Sequence, residues 1–234
     1  MRLREKAQRF AGTSRLLVVT SVLAEREAIE RGIAAAAQRP PTRAPAAMSS
    51  SLIVTIDGGV GAASAAVTTA TALGKHEFTA VICAGIGGGI DVPAGGLALG
   101  TACVAADLGA DSPDGFLSLD DLGLGSSTVA CDPDLGTMLA DALPDAVRGL
   151  ILTVSTVTGT AARAHWLRTR HPDAVAEAME GFGVATAAAR AGVPFAEVRA
   201  VSNPVGPRDR EAWKIPDALT ALERVGAALA TLGR

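Results

Sequence analysis

Short segments that are apolar throughout alternate along this chain with longer segments of helical composition. Leu16–Thr20 is an apolar, β-branched run, and the following residues 24–37 carry glutamates early, where they suit the positive end of a helix. Strands that are continuously apolar are typical of a parallel or mixed sheet buried on both faces. The alternation therefore predicts an α/β fold in which a central mixed, mainly parallel sheet is flanked by helices.

The same pattern continues to the end of the chain and predicts a single domain at residues 16–234, preceded by an N-terminal tail at residues 1–15. The further predicted strands are 52–56, 80–84, 97–106, 150–155 and 195–201. The further predicted helices are 62–73, 173–191 and 216–232. The proline- and serine-rich stretch 39–51 is predicted to be a surface loop within the domain.

Composition and charge narrow the kinds of partner. The 234 residues are 49% hydrophobic but only 3% aromatic, with 26 glycines and no tyrosine, which indicates a core of small side chains. A formal net charge of −3 disfavours nucleic acid and anionic membranes as partners, because both need clustered positive charge. We therefore expect a small-molecule substrate.

No segment of the sequence is typical of membrane insertion or secretion. The longest weakly charged stretch, 80–106, is interrupted by Asp91, Pro93 and many glycines, and the charged N-terminus lacks a following apolar core. The three cysteines form no CxxC pair, and the three histidines add no ligand set at zinc spacing. We expect a cytoplasmic protein with reduced thiols, no metal site and no cofactor.

Two glycine motifs follow predicted strands. Gly59-Val60-Gly61 follows a strand, as the glycines of a dinucleotide-binding motif do. In such a motif the next strand ends in an acidic residue that binds a ribose, and this chain has no acidic residue there. The segment from Gly85 to Gly89 places four glycines within five residues at the carboxyl end of a strand, where a ligand can approach the backbone closely. A crowded sheet turn is the alternative reading of that segment.

Two polar pairs are further candidates for a site. Met179-Glu180 falls within the predicted helix 173–191, where a glutamate serves a solvent-facing surface equally well. Ser202-Asn203 directly follows a strand, which is a common place for a binding side chain, although Asn-Pro is also an ordinary turn initiator.

Taken together, these segments resemble the nucleoside phosphorylase and nucleosidase superfamily in order and spacing from residue 16 to residue 232. Within it, the segments 107–123, 156–160 and 202–213 are most similar to the futalosine hydrolases. The resemblance implies a three-layer α/β/α fold. It also implies hydrolysis of futalosine, with release of hypoxanthine, in a route to menaquinone.

The resemblance further implies roles for individual residues. Glu25, near the end of the first strand, is implied to activate water, with Glu27 as the alternative. Glu180 is implied to accept hydrogen bonds from the ribose 2′ and 3′ hydroxyls while Met179 packs against the sugar. The remaining residues expected to bind the substrate are Gly85, Ile86, Gly87 and Phe182.

Asn203 departs from the adenine-cleaving members of the superfamily, which carry an aspartate there. An aspartate can pass a proton to N7, whereas the asparagine amide can donate toward N7 and O6 of a 6-oxopurine. We therefore expect hypoxanthine rather than adenine as the leaving base.

Ile86 stands where phosphorolytic members of the superfamily carry a serine, and no arginine adjoins it. Water is therefore the expected nucleophile.

Several assignments stay open at the level of the sequence. The candidates for binding the carboxylated aryl group of the substrate are Arg163, Arg208 and Arg210. The candidates for stacking on the base are Phe116, Trp166 and Phe182.

Residues 39–51 and 107–125 are candidate lids. By analogy with relatives we expect a homo-oligomer, a dimer. The alternative functions are a purine nucleoside phosphorylase, an adenine-releasing methylthioadenosine/S-adenosylhomocysteine nucleosidase and a catalytically silent nucleoside-binding module.

Overall fold

The computed structural model describes residues 15–38 and 52–232. The predicted loop 39–51 and all but the last residue of the predicted tail lie outside the described residues.

The strands of the described part are β1 (Leu16–Thr20), β2 (Ile53–Asp57), β3 (Ala80–Gly89), β4 (Leu97–Ala105), β5 (Gly109–Ser112), β6 (Gly115–Ser118), β7 (Thr128–Ala130), β8 (Val147–Thr153), β9 (Ala174–Ala178) and β10 (Phe195–Pro204). Its helices are α1 (Leu23–Ala37), α2 (Ala62–Lys75), α3 (Pro133–Ala142), α4 (Ala161–Arg170), α5 (Gly181–Ala191) and α6 (Ile215–Leu229). Across residues 15–38 and 52–232, no helix combines the length and the apolar character needed to cross a bilayer.

Strand β3 is the centre of the main sheet. It pairs in parallel with β1 and β10 and antiparallel with β9. Strand β4 pairs antiparallel with β10 and in parallel with β8, which in turn runs parallel to β9. Because both β9 and β10 bond to β3, the strands β3, β10, β4, β8 and β9 close into a ring, and β1 and β2 extend the sheet beyond it. The prediction of an α/β fold with a mixed, mainly parallel sheet is confirmed.

The sheet is buried on both faces, as the apolar strands predict. In β1, Leu16 and Val18 pack into a core formed with α1 and α6, whereas Leu17 and Val19 pack into a second core with α2 and α5. Successive side chains of a strand point to opposite faces, so one fully apolar strand serves both cores. The result is the three-layer arrangement of helices, sheet and helices.

Small residues allow the helices to pack closely. A Cβ atom at Gly32 of α1 would lie 1.9 Å from the carbonyl oxygen of Glu223 in α6. A Cβ atom at Gly226 of α6 would lie 2.1 Å from the carbonyl oxygen of Ile29 in α1. Any side chain at either glycine would therefore push the two helices apart.

The structure corrects two sequence-based predictions. The predicted helix 173–191 is wrong in its first part, because Ala174–Ala178 forms β9 and the helix begins only at Gly181. All five residues of β9 are buried between β8 and β3, so sheet pairing overrides the helical propensity of alanine and glutamate. The glycine segment 85–89 is not a loop after the strand but the continuation of β3.

Candidate active site

A cavity of about 210 Å³ lies where the carboxyl-terminal parts of β3, β9 and β10 meet the end of β1. The predicted site residues that line it are Ile86, Gly87, Met179, Glu180 and Asn203. A larger depression of about 680 Å³ lies at the other end of β3, between Arg15 and Val193, and contains none of the predicted site residues. The smaller cavity is therefore the candidate site.

Glu25 lies buried directly behind the wall of this cavity, in the first turn of α1. Its Oε1 atom accepts a hydrogen bond from the backbone N of Ile86 at 2.8 Å. Its Oε2 atom accepts from the backbone N of Ser21 at 2.8 Å and from Ser21 Oγ at 2.5 Å. The two donor residues, Ser21 and Ile86, line the cavity, whereas Glu27, the alternative base, is exposed.

Gly85 lies between the Glu25 carboxylate and the guanidinium of Arg199. A Cβ atom at this position would lie 2.7 Å from Arg199 Nη1 and 3.1 Å from each carboxylate oxygen of Glu25. The two charged groups thus approach the backbone of β3 where only a glycine leaves room for them. Gly85 shapes the back of the site without lining the cavity.

Glu180 sits at the junction of β9 and α5, not within a helix as the sequence predicts. Its Oε1 atom accepts from the backbone N of Gly61 at 3.2 Å, and its Oε2 atom accepts from Arg199 Nη1 at 3.2 Å. The Gly59-Val60-Gly61 motif therefore contacts a candidate ligand-binding carboxylate. Met179 lies beside Glu180 in the cavity lining.

Arg199 is a site residue that sequence analysis does not identify. It is fully buried and donates from Nε to Glu197 Oε1 at 2.8 Å and from Nη2 to Cys83 Sγ at 3.2 Å. Glu197 also accepts a hydrogen bond from the Cys103 thiol. Two charged residues inside the otherwise apolar segment 195–201 are the sequence signal that points to this ion pair.

The surroundings of Cys83 and Cys103 keep these two side chains as neutral thiols. Burial is the main cause that raises the pKa of both Cys83 and Cys103, and the carboxylate of Glu197 raises both further. The described residues contain no group of three or more His, Cys, Asp or Glu side chains arranged to hold a metal ion.

Asn203, near the end of β10, presents its amide to the cavity. Its Nδ2 atom donates to the carbonyl oxygen of Pro204 at 3.0 Å, and its Oδ1 atom accepts from Ser202 Oγ at 2.7 Å. Because a carbonyl oxygen can only accept, the contact with Pro204 fixes which side of the amide carries the nitrogen. One N–H of that nitrogen stays available to a ligand.

The structure shows which aromatic residues line the cavity and could stack on a base. Trp213, which sequence analysis does not select, lines the cavity. Phe182 does not, because the chain enters α5 directly after Glu180 and the backbone N of Phe182 donates to Thr153 Oγ1 at 2.9 Å. Phe116 and Trp166 contact each other edge to face at 5.6 Å between ring centroids and also lie outside the lining.

The structure also shows which of the candidate arginines lines the cavity. Arg208 lines the cavity, whereas Arg163 and Arg210 do not. The guanidinium of Arg208 lies 5.1 Å from the ring centroid of Trp213, so a cation and an aromatic ring lie against each other in the cavity lining. Among the predicted lids, residues 107–125 contain the β5–β6 hairpin, and their role stays a prediction.

Comparison with known proteins shows the family of the chain. The model of the phosphorylase superfamily matches residues 47–233. The chain is 50% identical over 220 residues to the futalosine hydrolase of Streptomyces coelicolor, covering 88% of this chain and 91% of the relative. It is 34% identical over 180 residues to the futalosine hydrolase of Thermus thermophilus, covering 73% and 78%. The native structure of the futalosine hydrolase of Helicobacter pylori strain 26695 has the same fold, with a TM-score of 0.76 at 15% identity over 94% of this chain and 97% of that chain. The chain therefore belongs to the futalosine hydrolase family of the phosphorylase superfamily.

Proposed function

We propose that this chain hydrolyses the N-glycosidic bond of futalosine and releases hypoxanthine. The observation that carries the proposal is the grouping of Glu25, Glu180 and Asn203 around one cavity. Breaking an N-glycosidic bond needs a group that activates water, a group that holds the ribose and a group that stabilises the departing base. Each of the three residues suits one of these tasks.

Glu25 acts as the general base in this proposal. A base that removes a proton from the attacking water contributes about 10² to 10⁴ in rate. The hydrogen bonds from Ser21 and Ile86 fix the direction of the carboxylate. Burial behind the cavity wall excludes bulk solvent from the carboxylate.

Glu180 binds the ribose hydroxyls in this proposal. A carboxylate accepts hydrogen bonds through both oxygens, and each oxygen has more than one lone pair. The backbone N of Gly61 donates to Oε1, and Arg199 and the backbone N of Met179 donate to Oε2, so the group is held in one orientation while lone-pair positions stay open to the ribose hydroxyls, chiefly on Oε1. Met179 offers a polarizable thioether next to the sugar.

Asn203 faces the leaving base. Its fixed amide N–H suits an acceptor, and a 6-oxopurine presents two acceptors, N7 and O6, on one edge. Adenine presents a donor at position 6 instead. The asparagine therefore favours hypoxanthine as the product.

Hydrolysis is proposed over phosphorolysis because the part of the cavity beside the glycines of β3 offers little to a phosphate ion. Ile86 places an apolar side chain beside the glycines of β3. The nearby guanidinium of Arg199 is already engaged by Glu197 and Glu180. A buried phosphate oxygen without donors would be costly.

Arg208 is the proposed partner of the carboxylated aryl group on the 5′ side of the substrate. It lies at the cavity lining with Trp213, so the carboxylate can meet a cation while the aryl ring packs on the indole. Arg163 and Arg210 lie outside the lining and are the weaker candidates.

We further propose that the protein works in the cytoplasm, in a route to menaquinone, as a homo-oligomer. Three buried cysteines, all free thiols in the structure, suit a reducing compartment. Leu23 in α1, Val60 in the cavity lining and Val67 in α2 are 50%, 59% and 68% exposed, which suits burial against a second copy of the chain. Sedimentation equilibrium tests the assembly, and a monomer at micromolar concentration would contradict it.

The activity is tested by incubating the purified protein with futalosine in buffer with and without phosphate. Hypoxanthine should appear at equal rates in both, as measured by liquid chromatography. Strict dependence on phosphate would identify a phosphorylase instead. Release of adenine from methylthioadenosine without release of hypoxanthine from futalosine would identify an adenine nucleosidase.

A further inference from the structure

Glu177 is a buried carboxylate of the cavity to which the proposed reaction gives no role. The residue is 5% exposed and lines the cavity from β9. Its Oε1 atom accepts from the backbone N of Thr158 at 2.8 Å, and its Oε2 atom accepts from Thr158 Oγ1 at 2.5 Å. In the part of the chain that the structure describes, no Lys, Arg or His forms an ion pair with it. Keeping such a carboxylate costs folding free energy, which points to a function in binding.

The strand registers place Glu177 and Asn203 on opposite sides of one glycine. Gly88 of β3 pairs with Glu177 of β9 on one side and with Asn203 of β10 on the other. Directly paired residues project to the same face of a sheet, and neighbouring strands lie about 4.8 Å apart. The carboxylate and the amide therefore flank a floor roughly 10 Å wide between β9 and β10. The side chain of Val205 covers Gly88 in this floor, since a Cβ atom at Gly88 would lie 2.8 Å from Val205 Cγ2.

A purine lying over Val205 would meet the two side chains with the two ends of its fused ring system. When N7 faces Asn203, the N1–H donor of hypoxanthine, at the other end of the ring system, turns toward Glu177. The same position of adenine is an unprotonated nitrogen with an acceptor lone pair. An ionised carboxylate only accepts hydrogen bonds, so it attracts the first and repels the second.

We propose that Glu177 is a specificity-determining residue that accepts a hydrogen bond from N1–H of a 6-oxopurine base. This inference rests on the proposed function, because it concerns the base that the same cavity releases. It adds a discrimination that Asn203 does not provide at N7, which is an acceptor in both bases. Thr158 positions the carboxylate through its two donors.

The surroundings of Glu177 act on its pKa in both directions. Burial raises the pKa of Glu177, and the charge of Asp107 adds to the rise. The hydrogen bonds from Thr158 and the charge of Arg163 lower the pKa and so stabilise the ionised carboxylate.

The test compares wild type with Glu177→Gln on futalosine and on its 6-amino analogue. A glutamine amide can turn its N–H₂ toward an acceptor at N1, so it suits the 6-amino base. We expect kcat/KM for futalosine to fall about 10- to 100-fold, as for loss of a hydrogen bond to a charged group, while kcat/KM for the 6-amino analogue does not fall. The matched control is Glu77→Gln, which makes the same change at an exposed glutamate outside the cavity and should leave both values unchanged.

An equal loss on both substrates would show that Glu177 only supports the structure, and would overturn the inference. Equilibrium binding of free bases provides a readout that does not need turnover. Wild type should bind hypoxanthine about 10- to 100-fold more tightly than Glu177→Gln does, with no such loss for adenine. Equal loss for the two bases would again overturn the inference.

A third measurement needs no variant. Wild type should bind 1-methylhypoxanthine, which lacks N1–H, at least about 10-fold more weakly than hypoxanthine. Equal affinities would overturn the inference even if futalosine is hydrolysed. Conversely, a wild type that binds hypoxanthine with this preference but leaves futalosine intact would contradict the proposed function and not the role of Glu177 in base recognition.

Discussion

Arg199 Nε donates to Glu197 Oε1 at 2.8 Å in an ion pair that solvent does not reach. The same guanidinium donates from Nη1 to Glu180, the candidate ligand of the ribose. Glu197 is therefore connected to the cavity through one buried cation. Because neither charge of the pair can be hydrated, each depends on the other.

Replacing Glu197 with glutamine should destabilise the fold and weaken activity. The variant leaves Arg199 buried with less compensating charge, and loss of one partner of a buried pair costs roughly 3 kcal/mol or more. Urea unfolding measures the change. The control is Glu223→Gln, which breaks the exposed Arg31–Glu223 contact of 2.7 Å and should cost about 1 kcal/mol or less. Equal costs for the two variants would contradict the importance of burial.

Replacing Glu25 with glutamine should abolish turnover while largely preserving ligand binding. The glutamine keeps the size of the side chain but removes the base, so kcat should fall by at least about 100-fold. Single-turnover kinetics and equilibrium binding of hypoxanthine separate the two effects. Glu27→Gln, two residues away on the exposed side of α1, should behave as wild type. Full activity of the Glu25→Gln variant would show that Glu25 is not the general base.

Replacing Gly85 with alanine should lower kcat/KM strongly, because the new Cβ atom would enter the space between Arg199 and Glu25. The expected loss is about 100-fold, the size typical of a misplacement near 1 Å at a reacting group. Gly74→Ala in α2 is the control, since a Cβ atom there meets nothing within 4 Å. Wild-type kinetics of the Gly85 variant would show that this close approach is unimportant.

The stability difference between Glu177→Gln and wild type should depend on pH. Burial raises the pKa of Glu177 in the folded protein, so the folded state holds the proton more tightly than the unfolded chain. The contribution of Glu177 to the stability of the wild type is therefore fully present at pH values below the ordinary pKa of glutamate. It is lost as the pH rises through the raised pKa of the folded protein. Melting temperatures between pH 4 and pH 7.5 should shift in favour of the variant as the pH rises. Parallel curves would contradict the raised pKa.

Much of the fold could be predicted because its strands are apolar throughout. β1 has its predicted bounds, and α1, β2 and β4 differ from prediction by one or two residues at their ends. β9 could not be predicted, because the segment AVAEA has helical propensity and becomes a strand only through its pairing with β8 and β3.

The candidate site was predictable where a motif marks it and not where the tertiary structure creates it. Asn203 directly follows a predicted strand, and the Met179-Glu180 pair is marked by the resemblance to the superfamily, although the sequence places it within a helix. Glu177, Arg199 and Trp213 join the site through strand register and the path of the chain after β10, which no local pattern encodes.

Hydrolysis of futalosine in ¹⁸O-labelled water without phosphate tests the central claim most directly. Mass spectrometry of the products should find unlabelled hypoxanthine and one ¹⁸O atom on the ribose-containing product, because water attacks C1′ and the base leaves intact. Absence of hypoxanthine, or release that begins only when phosphate is added, would contradict the account.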